Sequence, residues 1–189
     1  MGLIDMFCRV LISRLAGDCD PAEIREVNMG LRFPTKIHGN CFFITTTFDD
    51  RNEYGKIKGM HEGISKSLAF NLSKYSARMI AFVLMPSHLH MILAIDGSQL
   101  SNFMRDFKKF VAQKTAKECG ISAEKIWVRG YDSVALFSEK VFRQKLEYIH
   151  YNPVKAGLVE TAEDWEWSSA GAYLLERDGL IPVWKDWSW

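Results

Sequence analysis

Apolar residues in this chain run in two rhythms, an alternating or continuous one and a three-to-four-residue one, and the switches between them mark the elements. CFFITTTF (41–48) is dense in aromatic and β-branched residues and predicts a strand, followed by the turn-rich connector DDRNEYGK. Ile64, Leu68, Leu72 and Tyr75 then recur at helical spacing, which predicts a helix over 61–75. The segment ARMIAFVLMPSHLHMILAI (77–95) is too apolar for a surface helix. Pro86-Ser87 interrupts it, and a hairpin with strands near 79–85 and 88–95 follows. A helix is expected from Ser98 or Ser101 to about Lys117, with Leu100, Phe103, Phe107, Phe110 and Val111 on one side and Gly120 as its stop. YDSVALF (131–137) predicts a short strand. The last helix starts under a Ser138 cap and is expected to stop near Asn152, because Pro153 disfavours the α region at the residue before it.

The order is therefore β-α-β-β-α-β-α. Its first six elements predict an α+β fold, a ferredoxin-like antiparallel sheet with helices on one face, leaving the other face free for a site. Residues 1–40 form an N-terminal extension. In it 3–15 read as an amphipathic helix broken by Asp5, Arg9 and Arg14, Asp20-Pro21 as the start of a short helix, and 28–40 as a loop. The main domain is expected over 41–155, with an acidic, Trp-rich C-terminal extension over 156–189.

Composition adds limits. With 189 residues, 48% apolar and 25% charged, the chain suits one globular domain. No apolar run is long enough to span a bilayer, so no membrane partner is expected. Cys8, Cys19, Cys41 and Cys119 lack zinc-site spacing and read as free thiols, which with no secretory signal points to the cytoplasm. The net charge of +1 hides an uneven distribution, with +5 over 105–155 and −5 over 156–189. A basic middle segment suits phosphate neutralisation, and it suits a solvated face equally.

Two constellations carry possible chemistry. His88 and His90 alternate on a strand, so their imidazoles leave the same face roughly 6–7 Å apart at Cα and can converge on one divalent metal. Taken alone, the pair also reads as two unrelated strand histidines. Tyr148 and Asn152 are i,i+4 neighbours on the last helix and present a hydroxyl and a carboxamide to one region. Taken alone, they also fit an ordinary amphipathic helix whose tyrosines pack at the core edge.

Longer segments decide between these readings. MPSHLHMIL (85–93) resembles the His-hydrophobic-His segment of the single-tyrosine HUH transposases. YIHYNPVKAGLV (148–159) resembles the tyrosine segment of their REP-associated branch, with Tyr151 where a Leu is usual. CFFITTTFDDR (41–51), LSNFMRDFKKF (100–110), WVRGYDS (127–133) and DWEWSSAGAYL (164–174) match in family order. The resemblance implies a metal-dependent single-strand DNA endonuclease and strand transferase. His88, His90 and Asn152 would hold Mg²⁺ or Mn²⁺, and Tyr148 would attack to give a 5′-phosphotyrosine. The implied partner is single-stranded or hairpin DNA, the chain acting as monomer or homodimer. Arg105, Lys108, Lys109, Arg129, Arg143, Lys145 and Lys155 are the candidate DNA contacts. Two rivals stand beside this reading: a metal phosphodiesterase attacking with water, and a domesticated DNA-binding protein that no longer cuts. The intact set of His88, His90, Tyr148 and Asn152 argues against the latter.

Overall fold

The computed structural model describes residues 40–187. The expected helices at 3–15 and after Asp20 lie outside the described residues, as do nearly all of the 28–40 loop, Cys8, Cys19 and Trp189. Four strands form one antiparallel sheet: β1 (Cys41–Thr47), β2 (Arg78–Leu84), β3 (His88–Ala94) and β4 (Asp132–Ala135), in the order β2-β3-β1-β4. Three main helices accompany them: α1 (Met60–Lys74), α2 (Gly97–Phe110) and α3 (Glu139–Lys155). This is the predicted ferredoxin-like order, with α1 and α2 together on one face.

Alternation builds two cores. Phe42, Ile44, Leu89, Met91 and Leu93 point to α1 and α2, where Ile64, Leu68, Phe103 and Phe107 meet them. Phe43, Val83 and Ile92 point the other way, toward Phe142, Leu146 and Ile149 of α3. A bulge between Met79 and Ala81 leaves Ile80 unpaired, so Ile80 and Ala81 both face α3 while Met79 faces α1. The second face, expected to be free for a site, is instead largely covered by α3 and the C-terminal segment. The reason is in the strands themselves: both faces carry large apolar side chains, and each needs a cover.

The C-terminal segment closes the β2 edge. Leu84 N–H donates to Trp167 O at 2.8 Å, Ser169 N–H to Phe82 O at 2.9 Å and Trp184 N–H to Met79 O at 2.7 Å. A short helix α4 (Ala170–Leu174) brings Tyr173 in, and its hydroxyl donates to Ile80 O at 2.9 Å. Trp187 packs on Phe142 with ring centroids 4.5 Å apart and donates Nε1–H to Tyr173 Oη at 3.1 Å.

Three helix boundaries differ from expectation. Asp96, rather than Ser98 or Ser101, caps α2 by accepting from Ser98 N–H. Beyond Phe110 the helix widens into a π segment over Val111–Ala116. The third correction concerns α3, which runs on through Pro153 to Lys155. A proline in the last turn removes a single hydrogen bond, and the buried Pro153 ring still packs. The actual stop is a left-handed Gly157 at φ +68, where Gly157 N–H returns to Val154 O and Leu158 N–H to Pro153 O, both at 2.9 Å. Ser138 caps the start as predicted, its Oγ accepting from Val141 N–H.

Candidate active site

The hairpin turn at Pro86-Ser87 feeds directly into His88, the first residue of β3. Register pairs His88 with Thr47 and His90 with Thr45 on β1. Both imidazoles project to the α3 face, with ring centroids 4.8 Å apart. Each is oriented by a hydroxyl: His90 Nδ1 shares a 2.8 Å hydrogen bond with Thr45 Oγ1, and His88 Nδ1 a 3.0 Å one with Ser87 Oγ. Phe43 stacks on the His90 ring at 5.5 Å.

Helix α3 delivers the phenol to this pair. Its apolar stripe of Phe142, Leu146 and Ile149 is buried on the sheet, which turns Tyr148 toward the histidines. Tyr148 Oη lies 3.2 Å from His90 Nε2, and its ring meets Phe43 edge-on at 6.1 Å. The tautomer in which Nδ1–H donates to Thr45 Oγ1 leaves His90 Nε2 to accept from the Tyr148 hydroxyl.

Burial pushes the His90 pKa down to about 3, helped by the charges of His88 and Lys145. His88 is lowered as well, by burial first and by Arg51 second. Both rings are thus neutral at pH 7 and keep a lone pair. Burial also holds His150, on the far side of α3 against Ser169, at about 3. These histidines bind protons more readily when unfolded, near their ordinary value of 6.5. Stability is therefore full above that value and falls as pH drops toward 3. Thermal melting in metal-free buffer is expected to show roughly 2 kcal/mol lost per buried histidine by pH 5. A melting temperature flat between pH 7 and 5 would contradict this.

The remaining predicted residues separate into groups. Asn152 is half-buried one turn beyond Tyr148, and its carboxamide hydrogen-bonds no described residue. Lys145, one turn before Tyr148, places Nζ 4.6 Å from the Phe43 ring centroid and 5.7 Å from that of Tyr148. Arg143 is held by Glu139 at 2.6 and 3.0 Å and lies over the Trp187 ring. Lys155 and Arg129 are exposed. Arg105, Lys108 and Lys109 sit on α2, across the sheet from Tyr148. Arg105 bonds Asp106 and Asn102, whereas Lys108 ties down the 127–130 loop by donating to Val128 O and Gly130 O. Burial lowers the Lys108 pKa to about 8.

Sequence reasoning missed Phe43, Thr45 and Ser87. Alternation in CFFITTTF already set Phe43, Thr45 and Thr47 on one face, but only the β1–β3 register reveals which histidine each one meets.

A family profile described as IS200-like transposase matches residues 43–152, and the chain belongs to that family. It is 24% identical over 160 residues to a Haemophilus influenzae protein provisionally assigned as a REP-associated tyrosine transposase, covering 79% of this chain and 88% of that one. An Escherichia coli REP-associated tyrosine transposase is 31% identical over 113 residues, covering 57% of this chain and 61% of that protein. Among solved structures, a REP-associated tyrosine transposase bound to a REP hairpin aligns with a TM-score of 0.63 at 25% identity, covering 82% of this chain and 88% of that one. The enzyme class is thus that of the tyrosine transposases. Among the described residues no helix is long and apolar enough to cross a membrane.

Proposed function

We propose that this protein cuts and rejoins single-stranded DNA through a 5′-phosphotyrosine on Tyr148, with REP-like hairpin DNA as substrate. The observation that carries the reading is the Tyr148 hydroxyl, 3.2 Å from His90 Nε2, the His90 ring lying in turn 4.8 Å from that of His88. A hydroxyl nucleophile and two lone-pair donors facing the same space suit attack on a phosphodiester. Hairpin DNA as substrate is supported by the solved relative bound to a REP hairpin.

The donor set fits a divalent cation. Both Nδ1 atoms are anchored by hydroxyls, which fixes the rings and leaves Nε2 outward, the arrangement expected of metal-binding histidines. Among the described residues no three His, Cys, Asp or Glu side chains cluster; a cation held by the two imidazoles would have the Asn152 carboxamide as its candidate third ligand and keep further positions for substrate. Mg²⁺ or Mn²⁺ bound there supplies Lewis-acid polarisation of a non-bridging phosphate oxygen. The chain does the rest. Tyr148 Oη forms the bond to phosphorus and gives its proton to solvent, the P–O3′ bond breaks, and the 3′ oxygen takes a proton from water and leaves as a hydroxyl. Attack by another 3′-hydroxyl reverses the step and releases Tyr148. Of the seven basic residues named above, Arg143, Lys145 and Lys155 of α3 are the candidate DNA contacts nearest the cut, Arg105, Lys109 and Arg129 are more distant candidates, and Lys108 would have to give up its two carbonyl partners to join them.

Incubation with hairpin oligonucleotides and Mg²⁺ or Mn²⁺ should give a denaturation-resistant protein–DNA adduct, with the mass of the nucleotide on the peptide containing Tyr148. Cleavage without an adduct would favour a phosphodiesterase using water. Binding with neither would favour a regulator that no longer cuts.

A further inference from the structure

Lys145 is the cation that the fold sets beside the phenol. Its ammonium rests on two aromatic faces, Phe43 at 4.6 Å and Tyr148 at 5.7 Å, in a half-buried position. No carboxylate among the described residues pairs with it. On the same helix Arg143 is matched to Glu139, and elsewhere Lys56, Lys66 and Lys74 each have an acid. Taking an ammonium partly out of water without an anion costs free energy, and aromatic faces offset only part of it. Burial accordingly lowers its pKa, and its charge is felt at His90. A cation kept in this way is complete only when an anion arrives from outside.

We propose that Lys145 is a catalytic residue of the cleavage step, its ammonium contacting the scissile phosphate and stabilising the charge shared between that phosphate and the Tyr148 oxygen. This role rests on the phosphotyrosine reading. As Tyr148 Oη bonds to phosphorus, negative charge builds on the phosphate oxygens and then passes to the departing 3′ oxygen. Lys145 keeps its proton throughout; the phenolic proton goes to water and water supplies the one the 3′ oxygen takes up. A fixed charge in a site sheltered by Phe43 and α3 acts where charge develops, at little reorganisation cost. The exposed Lys109 and Lys155 differ: a screened surface charge strengthens binding of any strand and does little for one bond.

The test separates rate from affinity. Single-turnover adduct formation on a hairpin oligonucleotide with Mn²⁺ gives the first, and fluorescence anisotropy on the same oligonucleotide the second. Lys145→Met keeps the aliphatic stem on Phe43 and removes the charge; it should slow adduct formation about 100-fold and change the Kd by no more than about threefold. Lys145→Arg, which restores the charge, should recover the rate to within about tenfold of the unsubstituted protein. Lys145→Gln gives the same reading if the Met variant melts below the assay temperature. An unchanged rate, a weaker Kd with an unchanged rate, or an Arg variant as slow as the Met variant would each overturn the assignment. No adduct in the unsubstituted protein overturns the phosphotyrosine reading itself, and this role with it.

Discussion

Tyr148→Phe is expected to abolish covalent adduct formation, by about 10⁴-fold or more, while the protein still folds and still binds hairpin DNA. The substitution removes one oxygen. The ring keeps its edge contact with Phe43 and its place beside His90. One half-buried hydrogen bond to His90 Nε2 is lost, worth about 1 kcal/mol, so melting should shift by only a few degrees. Denaturing gels with a labelled oligonucleotide and anisotropy on the same material give both quantities. Residual adduct at the unsubstituted level would move the nucleophile elsewhere, with Tyr151 on the same helix as the first alternative. Loss of DNA binding in parallel with cleavage would make Tyr148 a binding residue instead.

The second large effect is on stability. Trp187→Ala should lower unfolding stability by about 3–4 kcal/mol and the melting temperature by about 10 °C. Trp187 is 9% exposed, packs on Phe142 and feeds its indole N–H into the relay that runs through the Tyr173 hydroxyl to Ile80 O. Removing the indole opens a cavity under α3 and leaves Tyr173 Oη short of a donor. Calorimetry checks the value, and a shift under about 2 °C would show that the C-terminal segment adds nothing to the core. Because Phe142 shares its helix with Tyr148, slower cleavage at temperatures below the transition should accompany the loss.

Periodicity made most of the scaffold legible. The aromatic run at 41–48, the apolar hairpin around Pro86-Ser87 and the spaced leucines of α1 each carry their own signal, and each lies within a residue or so of its predicted place. Local rules failed where a neighbour in space outvoted them. Pro153 stays helical because its ring is buried and the terminating glycine comes four residues later. Ile80 bulges so that two successive apolar residues can share one face, and no alternation rule anticipates that. The second face could not be seen as covered, since its cover comes from α3, whose side of the sheet no periodicity gives, and from Ala162 to Trp187 in a segment whose acidic, Trp-rich composition suggested an appendage.

The site was legible to a different depth. Two histidines two residues apart on a strand must share a face, and a helix bearing Tyr148 was visible from its spacing. Their meeting was not, because it depends on how α3 crosses the sheet, a property of packed layers. Thr45 and Ser87 were hidden for the same reason: a threonine in a strand signals nothing until its cross-strand neighbour is known. The seven basic residues looked alike in sequence. Only burial and partners distinguish Lys108, committed to two carbonyls, from Lys145, left over the phenol.

The phenol, both imidazoles and the hydroxyls that steady them all come from one folded polypeptide, α3 being seated by Trp187 on the sheet that bears His88 and His90. Loosening that seat would move the phenol relative to the imidazoles without touching any of the three side chains, so the far end of the chain sets the spacing on which the site depends.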